Sequence, residues 1–353
     1  MSALPAKLTT HPSVQAVLAR PRTTPPTVID AAWLRDLCLA AGADDAAVVS
    51  LDHPDLAGER EHALTALPGT RSLIAMAFRM NRDNLRSPAR SVANQEFHQT
   101  DEQANHAART VTQALQDAGY RALNPSVGFP QEMDRYPGRI WVVAHKTVAV
   151  AAGLGVMGLH RNVIHPKFGS FVLLATVLVD AEVSEYGQAL DYNPCIDCKL
   201  CVAACPIGAI RKTGEFDALA CATHNYREFM SGFTDWVQTV ADSEDAADYR
   251  SRVTDSESAS MWQSLASPPG YKSGYCLAVC PAGEDVLGPY LDDRKAFMDT
   301  VLRPLQEKKE TLYVLPGSAA QEYAERRFPH KPTKEVSGGW QPPAARKSST
   351  GEA

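Results

Sequence analysis

Seven of the eight cysteines lie within residues 195–280, and their spacing is the strongest chemical signal in the chain. The first pattern, C-x2-C-x2-C-x3-C-P, consists of Cys195, Cys198, Cys201, Cys205 and Pro206. Three thiolates with this spacing surround one 4Fe–4S cluster, while the fourth points toward a neighbouring cluster. A shorter C-x3-C-P pattern follows at Cys276 and Cys280. The sequence therefore predicts a protein that moves low-potential electrons.

Two other uses of these cysteines fit the chain less well. A disulfide framework is typical of a small secreted protein, whereas this chain has 353 residues, of which 44% are hydrophobic. Structural zinc sites usually set two ligand pairs apart across a longer loop. Iron–sulfur ligation is the interpretation that the spacing favours.

The two-cluster arrangement also predicts how the cysteines divide, because the fourth cysteine of each motif binds the other cluster. The first cluster would take Cys195, Cys198, Cys201 and Cys280. The second would take Cys205, Cys221 and Cys276, which leaves one ligand unassigned. Ser273 stands where a full second motif would begin, and Ser273 or His224 is a candidate non-cysteine ligand. The alternative is a 3Fe–4S or distorted cluster.

Two cysteines have a competing interpretation as ordinary core residues. Cys221 lies in a plausible helix, and we predict it to be a ligand because the second cluster otherwise has too few thiolates. Cys38 lies on the apolar stripe of a helix that begins after Asp30, and we interpret it as a small buried hydrophobe.

The segments that position this chemistry alternate between helix and strand. Helical patterns cover about 31–41, 60–67, 103–118 and 145–152, and strand patterns cover about 46–51, 72–78, 140–144 and 171–179. This alternation predicts an α/β (α+β) fold up to about residue 183. The predicted parts are an extended N-terminal segment (1–28), a mixed domain (29–183), a cysteine-rich domain (184–290), a C-terminal helical extension (291–336) and a disordered tail (337–353).

An acidic insertion covers residues 234–267, between the two cysteine patterns. It is interpreted either as a solvated helical hairpin or as a docking face or lid. The net charge of −6 gives no direct sign of nucleic-acid binding. No apolar stretch reaches the roughly 18 residues of a membrane span, and no export signal is visible. We expect a cytoplasmic protein, because thiols stay reduced there.

Three features, taken in order along the chain, resemble the epoxyqueuosine reductases and the related corrinoid-dependent reductive dehalogenases. The first is a helix followed by Gly-Leu-Gly-x-x-Gly at residues 145–158, and the second is Val-Ile-His-Pro-Lys-Phe-Gly-Ser at 163–170. The third is the order of the cysteines: the long motif, a lone cysteine and then the truncated motif. The resemblance extends over about residues 30–289.

This resemblance implies a nitroreductase-like domain that holds cobalamin, followed by a ferredoxin-like domain with two 4Fe–4S clusters. Electrons from an external donor, such as a ferredoxin or flavodoxin, would pass through the clusters to cobalt. By position, the resemblance implies that the corrinoid is lined by Gly153, Leu154, Gly155, Gly158, His160, Asn162, Gly169 and Ser170.

The chain also departs from the family pattern. The acidic proton donor of epoxyqueuosine reductases is replaced by Arg139, and the tryptophan usual after Gly-Leu-Gly is replaced by Val156. Asp134 and Tyr136 lie just upstream and are candidate proton donors, although their segment is also typical of a surface turn.

These features predict an iron–sulfur oxidoreductase that reduces a small organic molecule through cobalamin. The alternative is a ferredoxin-like electron-transfer protein that binds no corrinoid and has no catalysis of its own.

Overall fold

The computed structural model describes residues 5–20, 25–135 and 138–337. Its centre is a four-stranded antiparallel sheet, whose strands in spatial order are Asp45–Ser50 (β2), Ser72–Arg79 (β3), Val172–Val179 (β7) and Ala122–Leu123 (β4). The strands are β1 (Val28–Ile29), β2 (Asp45–Ser50), β3 (Ser72–Arg79), β4 (Ala122–Leu123), β5 (Val156–Met157), β6 (Val163–Ile164), β7 (Val172–Val179), β8 (Glu182–Val183), β9 (Leu312–Val314) and β10 (Thr333–Glu335). The short strands form three further pairs: β1 with β8, β5 with β6, and β9 with β10.

Seventeen α-helices are described besides the strands. They are α1 (Ala6–Thr9), α2 (Pro12–Leu18), α3 (Ala31–Ala40), α4 (Ala57–Ala66), α5 (Arg82–Arg86), α6 (Arg90–Asp117), α7 (His145–Ala151), α8 (Leu200–Ala204), α9 (Ala218–Asn225), α10 (Ser231–Ala241), α11 (Ala246–Arg252), α12 (Asp255–Ala266), α13 (Tyr275–Ala278), α14 (Glu284–Asp292), α15 (Arg294–Phe297), α16 (Arg303–Glu307) and α17 (Ala319–Arg327). Short 3₁₀ turns lie at Pro54–Leu56 and Met133–Arg135, and a π-helical turn lies at Met298–Leu302.

Both faces of the sheet are buried. Successive side chains of its central strands point to opposite faces, and almost all of them are apolar. On β3, Ile74, Met76 and Phe78 pack with α3 and α6, whereas Leu73 and Ala75 pack on the opposite face with α4 and α7. A strand covered on both sides in this way is apolar at almost every position. The predicted mixed fold is confirmed, and the antiparallel sheet places it in the α+β class.

The strand predicted at 140–144 is wrong, and the hydrogen bonds of the backbone show why. Arg139 donates from its side chain to the carbonyl groups of Trp141 and Val142, and the Ala144 N–H donates to the Glu59 carboxylate. Side chains therefore satisfy backbone groups that a neighbouring strand would otherwise pair.

The chain termini also differ from the prediction. In place of an extended segment, residues 5–20 contain α1 and α2, because the His11 side chain accepts from the Ser13 N–H and Pro12 begins α2. Residues 291–336 contain the parallel pair β9–β10 besides their helices. The tail predicted as disordered lies outside the described residues except for Ser337.

The acidic insertion forms the helices α10, α11 and α12, so that its helical interpretation agrees with the structure. Within the described part of the chain, no helix is both long and apolar enough to cross a membrane.

Candidate iron–sulfur centres

The structure gathers four cysteines into a first group: Cys195, Cys198, Cys201 and Cys280. They line a cavity of about 320 Å³, part of which is open to solvent. Burial, followed by the charges of the adjacent Cys280 and Cys198 thiolates, raises the pKa of the Cys201 thiol to about 12. This grouping is the one that the sequence predicted for the first cluster, and it joins α8 and the loop before it to the segment that follows α13.

Hydrogen-bond donors surround the thiols of both motifs. The Cys205 sulfur accepts from the Ala209 N–H at 3.2 Å and also receives backbone N–H groups of residues 207–210. Burial raises the pKa of the Cys280 thiol to about 11, while the neighbouring Ala282 N–H and Ser170 hydroxyl lower it. Such donors stabilise negative charge on sulfur and tune the potential of iron–sulfur clusters. The donor set therefore fits thiolate ligands of clusters.

Cys205, Cys221 and Cys276 form a second group. Burial raises the pKa of Cys276, and the neighbouring thiols of Cys221 and Cys205 raise it further, followed by Cys201. Burial likewise raises the pKa of Cys221 to about 12, with Cys205 as the next cause. Because Cys201 belongs to the first group yet interacts with Cys276, the two groups adjoin each other.

The fourth side of the second group is occupied by residues that the sequence analysis did not assign to it. The Asn162 amide points its Nδ2 toward the Cys276 sulfur, 3.9 Å away. Lys146 donates to Asn162 Oδ1 at 2.7 Å and to the Arg161 carbonyl at 2.8 Å. Its ammonium interacts electrostatically with both Cys221 and Cys276. In the sequence, the only feature that pointed to Lys146 was its position in the helix before Gly-Leu-Gly.

His224 does not lie among the cysteines. Its Nδ1 accepts from the Tyr313 N–H at 3.3 Å, and the charged groups that act on the ring are Glu310, Lys272, Lys331 and Lys308. The other candidate ligand, Ser273, donates its N–H to the side chain of Asn225.

No cluster of three or more His, Cys, Asp or Glu side chains in residues 5–20, 25–135 and 138–337 is arranged to hold a single metal ion. A 4Fe–4S cluster has a different requirement, since each thiolate binds a different iron and the ligands stand around the whole cube. The two cysteine groups are compatible with that larger spacing.

The glycines of the predicted corrinoid site permit close contacts within the chain. Gly153 has a φ of +85°, and a Cβ there would lie 2.2 Å from the Gln188 carbonyl oxygen. Gly169 has a φ of +68°, and a Cβ there would lie 2.0 Å from the Ala282 carbonyl oxygen. Gly155 and Gly158 pack closely against β6, and Leu154 lies in the core beneath the sheet. These glycines therefore allow residues 153–170 to pack closely against neighbouring segments of the chain, including the segment after Cys280.

The polar side chains of the same set face the cysteines. Asn162 points toward Cys276, and the Ser170 hydroxyl donates to the Leu277 carbonyl at 3.2 Å. His160 lines the cavity of the first cysteine group. Burial, together with the positive charge of Lys146, lowers the pKa of His160 to about 4. These three residues fit iron–sulfur clusters, whereas their contacts with the cysteine segments give no support for a corrinoid.

The candidate proton donors are only partly described. Asp134 is exposed in the turn Met133–Arg135, and Tyr136 lies outside the described residues. Arg139 forms an ion pair with the buried carboxylate of Glu59. Their roles stay predictions.

Comparisons with known proteins match the cysteine segment first. A model of the 4Fe-4S binding domain matches residues 189–211, which contain the first long motif. An epoxyqueuosine reductase of Cellulophaga algicola is 30% identical over 118 residues, covering 30% of this chain and 38% of that protein. One from a Synechococcus species is 29% identical over 161 residues, covering 44% and 45%. The resemblance to epoxyqueuosine reductases is confirmed. The chain spans less than half the length of these curated relatives.

Solved structures give weaker similarities. The epoxyqueuosine reductase from Streptococcus thermophilus has a TM-score of 0.41 at 15% identity, covering 78% of this chain and 79% of that one. The catabolic reductive dehalogenase NpRdhA has a TM-score of 0.46 at 13% identity, covering 84% and 35%. Because both TM-scores lie below 0.5, these similarities establish neither fold nor function.

Proposed function

We propose that this chain is an iron–sulfur oxidoreductase that passes low-potential electrons through two clusters to an organic substrate. The observation that carries the proposal is the division of seven cysteines into two adjoining groups, each supplied with hydrogen-bond donors. Cys195, Cys198, Cys201 and Cys280 would hold the first 4Fe–4S cluster. Cys205, Cys221 and Cys276 would hold the second, which a non-cysteine group completes or which is a 3Fe–4S cluster.

Electrons would enter through the first cluster. Its loop carries Ile196 and Tyr192, which are 41% and 51% exposed, so that an external ferredoxin or flavodoxin can approach it. The electrostatic interaction of Cys201 with Cys276 indicates that the two groups are near each other, which would supply a short route onward. This order would bring the electrons to the second cluster, beside Asn162 and Lys146.

Iron and sulfide quantification after anaerobic reconstitution, combined with EPR, tests the cluster assignment. Two complete cubes give about eight irons per chain, whereas a 3Fe–4S second cluster gives about seven. Cys221→Ala should lower the iron content and alter one EPR signal only. Cys38→Ala is the matched control and should leave the iron content unchanged, because Cys38 lies in α3 and is fully buried in the core. A Cys221→Ala protein with both clusters intact would contradict the ligand assignment.

Cobalamin is part of the proposal on the strength of the resemblance to the reductases. When bound, it would supply a strongly reducing metal centre next to the clusters. The contacts of Asn162, Ser170 and His160 with the cysteine segments favour the second candidate function, a ferredoxin-like electron-transfer protein without a corrinoid. Cobalt quantification after reconstitution with cobalamin and gel filtration distinguishes the two. About one cobalt per chain supports the corrinoid enzyme, and cobalt-free protein with intact clusters supports the electron carrier.

We propose a small organic molecule as the substrate, and a modified nucleoside in tRNA is the alternative. The alternative follows from the relatives' name and from a solved epoxyqueuosine reductase that is described with an epoxyqueuosine-modified tRNA stem loop. The Arg139–Glu59 ion pair at the position of the family's acid favours a different substrate. Turnover of an epoxyqueuosine-containing stem loop by the reconstituted chain would overturn the small-molecule proposal.

A further inference from the structure

His160 is held in a tight turn that fixes the direction of its imidazole. The Asn162 N–H donates to His160 Nδ1 at 3.1 Å, and the Gly158 N–H donates to the Asn162 carbonyl at 2.8 Å. Gly158 makes room for the ring, because a Cβ there would lie 2.8 Å from His160 Cε1. Since Nδ1 accepts a hydrogen bond, the proton of the ring is on Nε2, which is therefore a donor.

That donor has no partner among the residues that the structure describes. His160 is only 4% exposed, and its Nε2 is buried without a hydrogen bond. Buried polar groups without partners are rare, and each one calls for an explanation such as a missing bound group. The same ring lines the cavity formed by the first cysteine group.

Two other buried histidines, His165 and His145, have partners on both ring nitrogens. His165 donates from Nε2 to the Asp45 carboxylate at 3.0 Å, and its Nδ1 accepts from the Lys167 N–H at 3.1 Å. His145 Nε2 and Nδ1 are paired with the Ser126 carbonyl and with Thr176. His224 also has a buried Nε2 without a hydrogen bond among the described residues, but its ring is surrounded by Tyr313, Glu310 and lysines. The unpaired nitrogen of His160 differs because its ring lines the cavity of the first cysteine group.

We propose that the Nε2–H of His160 donates a hydrogen bond to a sulfur of the cluster held by the first cysteine group, and thereby raises its reduction potential. The group already supplies four thiolates, so that the cluster needs a hydrogen-bond donor rather than a fifth ligand. One-electron reduction adds negative charge to the cluster, and an N–H···S hydrogen bond stabilises the reduced form more than the oxidised form. His160 would therefore not bind iron, but would act on the cluster through this hydrogen bond and so adjust its reduction potential. The inference rests on the iron–sulfur function proposed above.

Potentiometric EPR titration of the full reconstituted chain tests this inference. His160→Leu removes the donor, and we expect the potential of one cluster to fall by about 59 mV, which is a tenfold change in its one-electron reduction equilibrium. The other cluster should keep its potential. His160→Gln retains an N–H donor and should restore part of the difference. His165→Leu is the matched control, because both of its ring nitrogens have partners outside the cavity.

Pulsed EPR of the reduced protein in D₂O supplies a second measurement. An exchangeable deuteron coupled to the first cluster is expected in the wild type and should be absent in His160→Leu. An unshifted potential with unchanged deuteron coupling in His160→Leu overturns the inference, as does an equal shift in His165→Leu. If the wild type takes up no 4Fe–4S cluster at all, the proposed function fails and this inference fails with it. A normal cluster without the shift refutes the role of His160 alone.

Discussion

Replacing Gly169 with alanine tests the contact between the sheet and the cysteine segment. Gly169 lies in the left-handed region with φ of +68°, where a side chain costs about 1–2 kcal/mol. The new Cβ would lie 2.0 Å from the Ala282 carbonyl oxygen, and real Cβ atoms stay at least 3.0 Å from such atoms. The two backbones must therefore separate by about 1 Å, an overpacking that costs about 1–3 kcal/mol more. Together the terms predict a loss of about 2–5 kcal/mol in the free energy of unfolding.

Gly317→Ala is the matched control for this substitution. Gly317 has nearly the same φ, +64°, but nothing lies within 4 Å of the position that its Cβ would take. Urea unfolding of both reconstituted variants should show a small loss for Gly317→Ala, of about 1–2 kcal/mol, and a larger one for Gly169→Ala. Gly169→Ala should also lose iron from the first cluster, because Ala282 follows Cys280 by two positions. Equal losses in the two variants would refute the contact as the cause.

Three further predictions concern charged groups. Burial opposes ionisation of Asp235, but hydrogen bonds from Ser337 and the charge of Arg227 hold its pKa below the usual value. Its contribution to stability is therefore present above about pH 4 and is lost as the pH falls through the folded-state pKa, so that urea titrations of Asp235→Asn should show a shallower acid decline. Glu59→Gln should cost about 1–3 kcal/mol in the same assay by weakening the contacts with Arg139 and Ala144, whereas the exposed control Glu61→Gln should change little. Lys146→Met removes positive charge beside Cys221 and Cys276 and should lower the potential of the second cluster by on the order of 59 mV, and an unchanged potential would contradict this placement.

The spacing of the cysteines predicted the site because ligand geometry acts over a few residues. Three thiolates within seven positions can meet around one cube in almost any surrounding fold. The pairing of Cys280 with the first group needed knowledge of the two-cluster pattern, and the structure agrees with it. The sheet was predictable for a similar reason, since β3 and β7 are long apolar runs.

Features that depend on distant partners escaped the sequence. The apolar segment 140–144 has the composition of a strand, yet Glu59 and Arg139 satisfy its backbone. Helix α6 begins at Arg90 rather than near 103, because its polar first half is held by tertiary contacts such as Glu96 with the Asn81 N–H. His160 could be placed near a cofactor, but only the fold shows which cavity its ring faces.

The pairing of Cys201 with Cys280 has a consequence for how the chain is tied together. With both as ligands of one cluster, the iron–sulfur cube closes a loop of about 80 residues, much as a long-range disulfide would, and removes several kcal/mol of chain entropy from the unfolded state. The acidic helices α10, α11 and α12 lie inside that loop. The closure entropy changes by only about 0.6 kcal/mol for each doubling of loop length. The segment between Cys201 and Cys280 can therefore become longer or shorter at little cost in stability. The described cysteines form no disulfide, so the proposed cluster would provide the covalent cross-link between these distant segments.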